Sequence, residues 1–284
     1  MRKMKLCCTV LALLICLSAQ TPVSVKPYCL DITSKILEAN KGNHFLVQGD
    51  IALSNKRNAM KCLNSYCKWK KSYNGLVEVP YSFSNYFYDD EKALIEKAME
   101  TFHQKTCVRF VPHRDQRDYL QIESELGCWT TIGRDGGQQV VSLSVHGCLD
   151  HGVIQHELLH ALGFHHEHTR SDRDQFVRIN WENVAGAHAS NFHKADTNNL
   201  NTPYDYSSIM HYGRTAFAKM YGQETITPIT DPSVPIGQRE EMSDIDILRV
   251  NRLYECSEYR NPQRCSIFTK IKRLCFDVQV LCGD

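Results

Sequence analysis

The stretch HELLHALGFHHEHTRSDRD, His156–Asp174, decides the fold. His156 and His160 lie about one helical turn apart, so both imidazoles project from one helix face. Two neutral imidazoles so placed can take two corners of a zinc tetrahedron, with Glu157 beside the metal to hold a proton. Gly163 suits a helix end, because it tolerates the left-handed conformation that turns the chain back. That turn can bring His166 round as a third ligand. Three protein ligands leave one position open, which marks a catalytic zinc site; structural sites are usually closed by four. A bare H-E-x-x-H arises by chance on many helices. Here Gly163 and His166 extend it, and SIMHYG follows at 208–213, a Met-containing turn far downstream.

H-E-x-x-H-x-x-G-x-x-H with such a turn is the metzincin signature. Behind the third histidine stand Glu167, Arg170, Asp172, Arg173 and Asp174, and the turn ends on Tyr212. With these residues the chain resembles the astacin family of zinc endopeptidases, from about Asn58 to Cys256. Details at both ends resemble the fish hatching-enzyme and nephrosin branch. The resemblance implies an α+β metzincin-like protease of two subdomains. A mixed sheet and the active-site helix form the N-terminal half, and the C-terminal half is irregular. It implies one Zn2+ per chain on His156, His160 and His166. Glu157 becomes the general base and then the general acid, Tyr212 the partner of the oxyanion, and Met210 an apolar floor beneath the metal.

The ends of the chain read as processing signals. Arg2, Lys3 and Lys5 precede an apolar run from Leu6 to Leu17, with Ser18 and Ala19 after it. Residues 1–19 therefore read as a secretory signal, and the run is too short for a membrane anchor. Residues 20–57 read as a pro-segment with a helix at Ile32–Ala39, followed by HFLVQGDIAL. Family likeness makes Asp50 the aspartate whose carboxylate occupies the zinc in the precursor, with Gly49 allowing close approach. Cys29 is a weaker competitor, since PYCLD does not resemble a thiolate switch. Lys56-Arg57 before Asn58 suits cleavage by an activating trypsin-like protease. In the family the new N-terminus, here Asn58, folds inward to pair with the acid after the third ligand, here Glu167. Residues 58–256 are then the protease domain and 257–284 a cysteine-containing tail.

The chain has 284 residues, 42% hydrophobic and 23% charged, ordinary for a globular protein. Its net charge of +1 gives no reason to expect a nucleic-acid partner. Substrates are expected to be proteins or peptides, and the chain a monomer. Thirteen cysteines fit an oxidising compartment, hence secretion or storage in secretory granules. Spacing leaves their connectivity open. The resemblance implies Cys107 with Cys256, Cys128 with Cys148 and, as in the hatching-enzyme branch, Cys62 with Cys67. Cys265, Cys275 and Cys282 lie beyond the usual family end.

Elsewhere, 75–83, 107–112, 119–123 and 139–145 read as strands. A helix is expected over 91–105, capped by Asp89 or Asp90, burying Ala93, Leu94, Ala98 and Phe102 with Ile95 and Met99. Another is expected over 152–162, with Val153, Leu159 and Leu162 in the core. Trp181–Asn191 suggests a helix. Ser243 caps a last one to about Tyr254, with Ile245, Leu248, Val250 and Leu253 available to pack. The charges of 170–178 read as structural ion pairs. Arg214 hints at acidic side chains in the substrate. His146, His151, His165, His168 and His211 carry no assigned role. Two readings compete with egg-envelope digestion: a protease secreted by another tissue with another substrate, and an inactive binding protein on the same fold.

Overall fold

The computed structural model describes residues 31–53 and 66–257. The signal, Cys29, Arg57, Asn58, Cys62 with the expected Cys62–Cys67 pair, and the tail with its three cysteines lie outside the described residues.

Helix α1 (Ile32–Ala39) starts at Asp31, whose carboxylate accepts the Ser34 N–H at 3.0 Å. Ile32 and Ile36, one turn apart, are buried on its inner face. A short antiparallel pair follows, β1 (Leu46–Val47) and β2 (Ile51–Ala52). Then come β3 (Val77–Phe83), α2 (Asp89–Lys105), β4 (Val108–Pro112), β5 (Tyr119–Glu123), β6 (Cys128–Thr130), β7 (Gln138–Leu143) and α3 (His151–Ala161). The strands form one mixed sheet in the order β1-β2-β6-β7-β5-β3-β4. β3, β4, β5 and β7 run parallel, and β6 is antiparallel to β7. β2 lies parallel to β6, with Ile51 opposite Thr130, so the N-terminal segment extends the β6 edge of the sheet.

α2 differs from its expected register. Tyr88 is the N-cap, which moves Asp89 and Asp90 into the first turn, where carboxylates suit the helix dipole. Ile95, Ala98, Met99 and Phe102 form the buried stripe, whereas Ala93 and Leu94 are exposed. The apolar pattern was wide enough to fit two faces, and packing chose the one carrying the larger side chains.

α3 is buried along its whole length from Gly152 to Ala161. A helix with no solvent face has no solubility reason to carry Gln155, His156, Glu157 and His160. It ends at Leu162, and Gly163 takes φ 108°, the conformation its place in the motif demands. Disulfides join Cys107 to Cys256 and Cys128 to Cys148.

The C-terminal half has little regular structure. β8 (Val177–Ile179) pairs with β9 (Ile226–Pro228), and α4 (Asp244–Leu253) is the last regular element among the described residues. The helix suggested for 181–191 is split into two 3-10 helices, Trp181–Asn183 and Gly186–Phe192. Between them Val184 is extended and bridges Ala218, which interrupts the helix. A second core gathers Val177, Ile179, Phe192, Tyr204, Tyr212 and Ile226. The 170–178 charges do pair: Arg170 grips Asp172 at 2.9 and 2.8 Å, and Arg173 contacts Asp174. α4 buries Ile247 and Val250 together with Asp246, Arg249 and Asn251, while Ile245 and Leu248 are only half-buried. Among the described residues no helix is long and apolar enough to cross a membrane.

Candidate metal centre

α3 carries two imidazoles and the turn at Gly163 delivers the third. His156, His160 and His166 converge on one point, and the Asp50 carboxylate sits there with them. Their ligand atoms all lie within 4.8 Å of one another. His156 Nε2 and His166 Nε2 are 3.0 and 3.1 Å from Asp50 Oδ2, and His160 Nε2 is 3.6 Å from Oδ1.

The outer nitrogens fix the proton positions. His156 Nδ1 donates to the Ile209 carbonyl at 2.9 Å and His160 Nδ1 to the Phe164 carbonyl at 2.7 Å. His166 Nδ1 meets Gln48 Oε1 at 3.0 Å. A carbonyl only accepts, so each ring keeps its proton on Nδ1 and turns the Nε2 lone pair inward. Burial also disfavours the imidazolium, pushing His166 down to about 3 and lowering His160. Three inward lone pairs then face carboxylate oxygens, a repulsive arrangement unless a cation lies between them. His160 Nε2 and Asp50 Oδ1 have no hydrogen-bond partner, which is the same fact seen atom by atom. Nitrogen and carboxylate donors in this number suit zinc.

Glu157 follows His156 on α3 and is fully buried, with neither carboxylate oxygen hydrogen-bonded. Burial, then the charge of Asp50, raises its pKa well above the ordinary value. Tyr212 donates its hydroxyl to the Gln48 carbonyl and stacks on His168, ring centres 3.7 Å apart. Met210 is buried in the main core, and its carbonyl accepts the Glu167 N–H at 3.0 Å.

Several groups escaped the sequence reading. Asp246 accepts from Ser208 Oγ at 2.6 Å and Ile209 N at 2.9 Å. The Ile209 carbonyl in turn holds His156, so the capping box of α4 steadies a ligand through the Met-containing turn. The spacing Ser243-x-x-Asp246 was the available signal. His168 and His211 are buried: His168 Nε2 bonds the Asn191 carbonyl and His211 Nε2 meets the Tyr204 hydroxyl. Arg214 is turned towards Glu224 and the carbonyls of Pro232 and Val234, which removes the basis for reading it as an acid-selecting residue.

Glu167, the expected partner of the new N-terminus, is buried. It already has a cation, Arg249, which grips it at 2.5 and 2.8 Å, and the Asp205 N–H adds a bond at 2.8 Å. Burial still outweighs Arg249 and leaves Glu167 above its ordinary pKa. Arg249→Met is therefore expected to destabilise the fold by about 3–5 kcal/mol, the usual consequence of stranding one member of a buried pair. Adding Glu167→Gln should recover part of that loss. Urea titration of the wild type and the two variants measures it, and an unchanged midpoint for Arg249→Met would show the pair to be dispensable.

Sequence comparison decides the family. The profile described as Astacin (Peptidase family M12A) matches residues 64–255. The chain belongs to the astacin family. It is a zinc-dependent endopeptidase, and the histidine and aspartate group is able to hold a metal ion. This astacin is 56% identical over 228 residues to High choriolytic enzyme 1 of Oryzias latipes, covering 80% of this chain and 84% of the relative. It is also 56% identical to the Low choriolytic enzyme of the same fish, over 80% of this chain and 84% of that one. Among solved structures it is similar to High choriolytic enzyme 1, a hatching enzyme zinc-protease from medaka. There the TM-score is 0.68 and the identity 59%, over 70% of this chain and all of that chain.

Proposed function

We propose that this astacin is the precursor of a secreted endopeptidase that digests egg-envelope protein, held latent by Asp50. The observation that carries the reading is the Asp50 carboxylate lying among three inward-facing Nε2 atoms. A carboxylate there takes the position that a water needs for hydrolysis. Residues 1–19 are assigned as signal, 20–57 as pro-segment, 58–256 as protease and 257–284 as tail. The envelope substrate is inferred from the choriolytic and hatching relatives, and secretion from the signal-like start together with the disulfides.

The roles follow from the chemistry of each group. His156, His160 and His166 would hold a zinc ion, which would supply a Lewis acid for the scissile carbonyl and lower the pKa of water towards about 7. Glu157, with two free carboxylate oxygens, takes the proton of the attacking water and returns it to the leaving amine. Tyr212 donates to the oxygen on which negative charge develops, a bond strongest in the transition state. Cleavage after Arg57 by a trypsin-like protease lets Gln48 and Asp50 leave and frees both groups. The new Asn58 amine then joins Arg249 at Glu167, where it would add a second cation to a carboxylate already paired. The processed enzyme acts as a monomer.

The test is a casein assay on the purified full chain, before and after trypsin, with and without a zinc chelator, and repeated on isolated egg envelopes. The untreated chain should be nearly inert and the trypsin-treated one active on both substrates. Chelation should abolish that activity and added zinc restore it. Equal digestion before and after trypsin would overturn latency; casein digestion with intact envelopes would move the substrate elsewhere.

A further inference from the structure

The N-terminal segment reveals a main-chain contact that the catalytic roles leave unused. Gln48 lies two residues before Asp50, so it occupies the ground beside the reacting position. Its backbone is gripped at both polar groups. The Gln48 N–H donates to Asn191 Oδ1 at 3.0 Å, and the Gln48 carbonyl accepts from the Tyr212 hydroxyl. Neither contact reads the side chain. Gln48 adopts φ 51°, unusual for a residue with a Cβ, and so aims both groups at one wall.

Asn191 is firmly mounted for such a task. It is 8% exposed, at the end of the 3-10 helix Gly186–Phe192. Its own carbonyl is held by His168 Nε2 at 3.1 Å. Phe192 beside it is fully buried, and the Phe192 carbonyl is held by Arg173 at 3.0 Å. A polar side chain on a backbone held at two successive carbonyls is presented to a partner with little ordering of the main chain. A carboxamide carries an acceptor and two donors, so it can meet a peptide N–H or a peptide carbonyl. An endopeptidase must hold its substrate by groups every residue possesses, and those are the N–H and the carbonyl.

We infer that Asn191 is a substrate-binding residue that, with Tyr212, clamps the main chain of a polypeptide residue flanking the scissile bond. In the precursor Gln48 takes that place. This rests on the endopeptidase reading above and adds a binding contact to it.

The experiment uses the trypsin-processed full chain and one casein-derived peptide. Asn191→Ala should raise KM about tenfold, the loss of one hydrogen bond at a buried site, with kcat within about twofold. Zinc content and melting temperature should match wild type. An unchanged KM would overturn the proposal, as would a fall in kcat alone. A second arm needs no variant and stands if Asn191→Ala fails to fold. The peptide HFLVQGDIAL, His44–Leu53, is tested as an inhibitor of the processed wild type. It is compared with the same peptide bearing an ester in place of the Val47–Gln48 amide, which replaces that N–H by an oxygen that cannot donate. The ester should inhibit about tenfold more weakly, and equal behaviour of the two would again overturn the proposal. A processed wild type with no cleavage activity at all would instead remove the endopeptidase reading beneath it.

Discussion

Glu157→Gln is expected to keep its zinc and lose about 10⁴-fold in kcat/KM, the top of the range for a positioned proton carrier. Glutamine has the shape of glutamate and cannot take a proton. The three ligands do not depend on position 157. The outer nitrogens of His156 and His160 are anchored to the Ile209 and Phe164 carbonyls, and no hydrogen bond reaches the Glu157 carboxylate. Stability should be unchanged or slightly higher, since a buried carboxyl without partners is replaced by a neutral group. The pH dependence has a definite sign. Glu157 works as a base when deprotonated, so activity falls as pH drops through its pKa. Burial and Asp50 both raise that pKa, and departure of the Asp50 carboxylate removes one of the two. The acid limb of the processed enzyme should therefore lie at lower pH than that of any activity retained with the segment in place. Metal analysis beside steady-state kinetics checks the first claim. Turnover within tenfold of wild type would take Glu157 out of the mechanism.

Helix α3 was legible because its signal is local. Two histidines one turn apart and a glycine at the exit state their geometry within eight residues. The helix Ile32–Ala39 and the strand Tyr119–Glu123 were legible for the same reason, as periodic runs between polar breaks. α4 was half legible. Its cap was clear, but a rule that turns apolar residues inward chose Ile245 and Leu248, whereas the fold needed Asp246 and Arg249 inside. Their partners, Ile209 and Glu167, lie 37 and 82 residues away along the chain. Gln48 shows the same limit more sharply: its bonds to His166 and Tyr212 span 118 and 164 residues. The strands of two or three residues at β1, β2, β8 and β9 are too short to show alternation. They exist because neighbouring strands and cores offer them partners.

Asp50→Ala is expected to raise the activity of the uncleaved chain about 10²–10³-fold while leaving it below that of the processed enzyme. The assay belongs in a chain also carrying Lys56→Ala and Arg57→Ala, so that no cleavage intervenes. Removing one partner from a buried charged cluster costs about 3–5 kcal/mol, and each 1.4 kcal/mol is about tenfold in occupancy. Activity stays partial because the segment has other moorings. Asn40 donates to the Gly49 and Cys128 carbonyls at 2.7 Å each and accepts the Cys128 N–H at 2.7 Å. Ile32 and Ile36 are buried, and Lys35 pairs with Asp150 at 2.6 Å, at the N-cap of α3. Gln48 still occupies Tyr212. Asp50→Glu should leak less than Asp50→Ala, because its carboxylate is retained, but more than wild type, because the added methylene has little room. Gly49 already packs so closely that a Cβ there would come within 2.6 Å of Leu37 and 3.0 Å of Phe217, so the backbone cannot withdraw to make space. The three precursors are compared by rate on a single peptide. If Asp50→Ala is as silent as wild type, latency comes from the moorings and the carboxylate is a bystander at the metal.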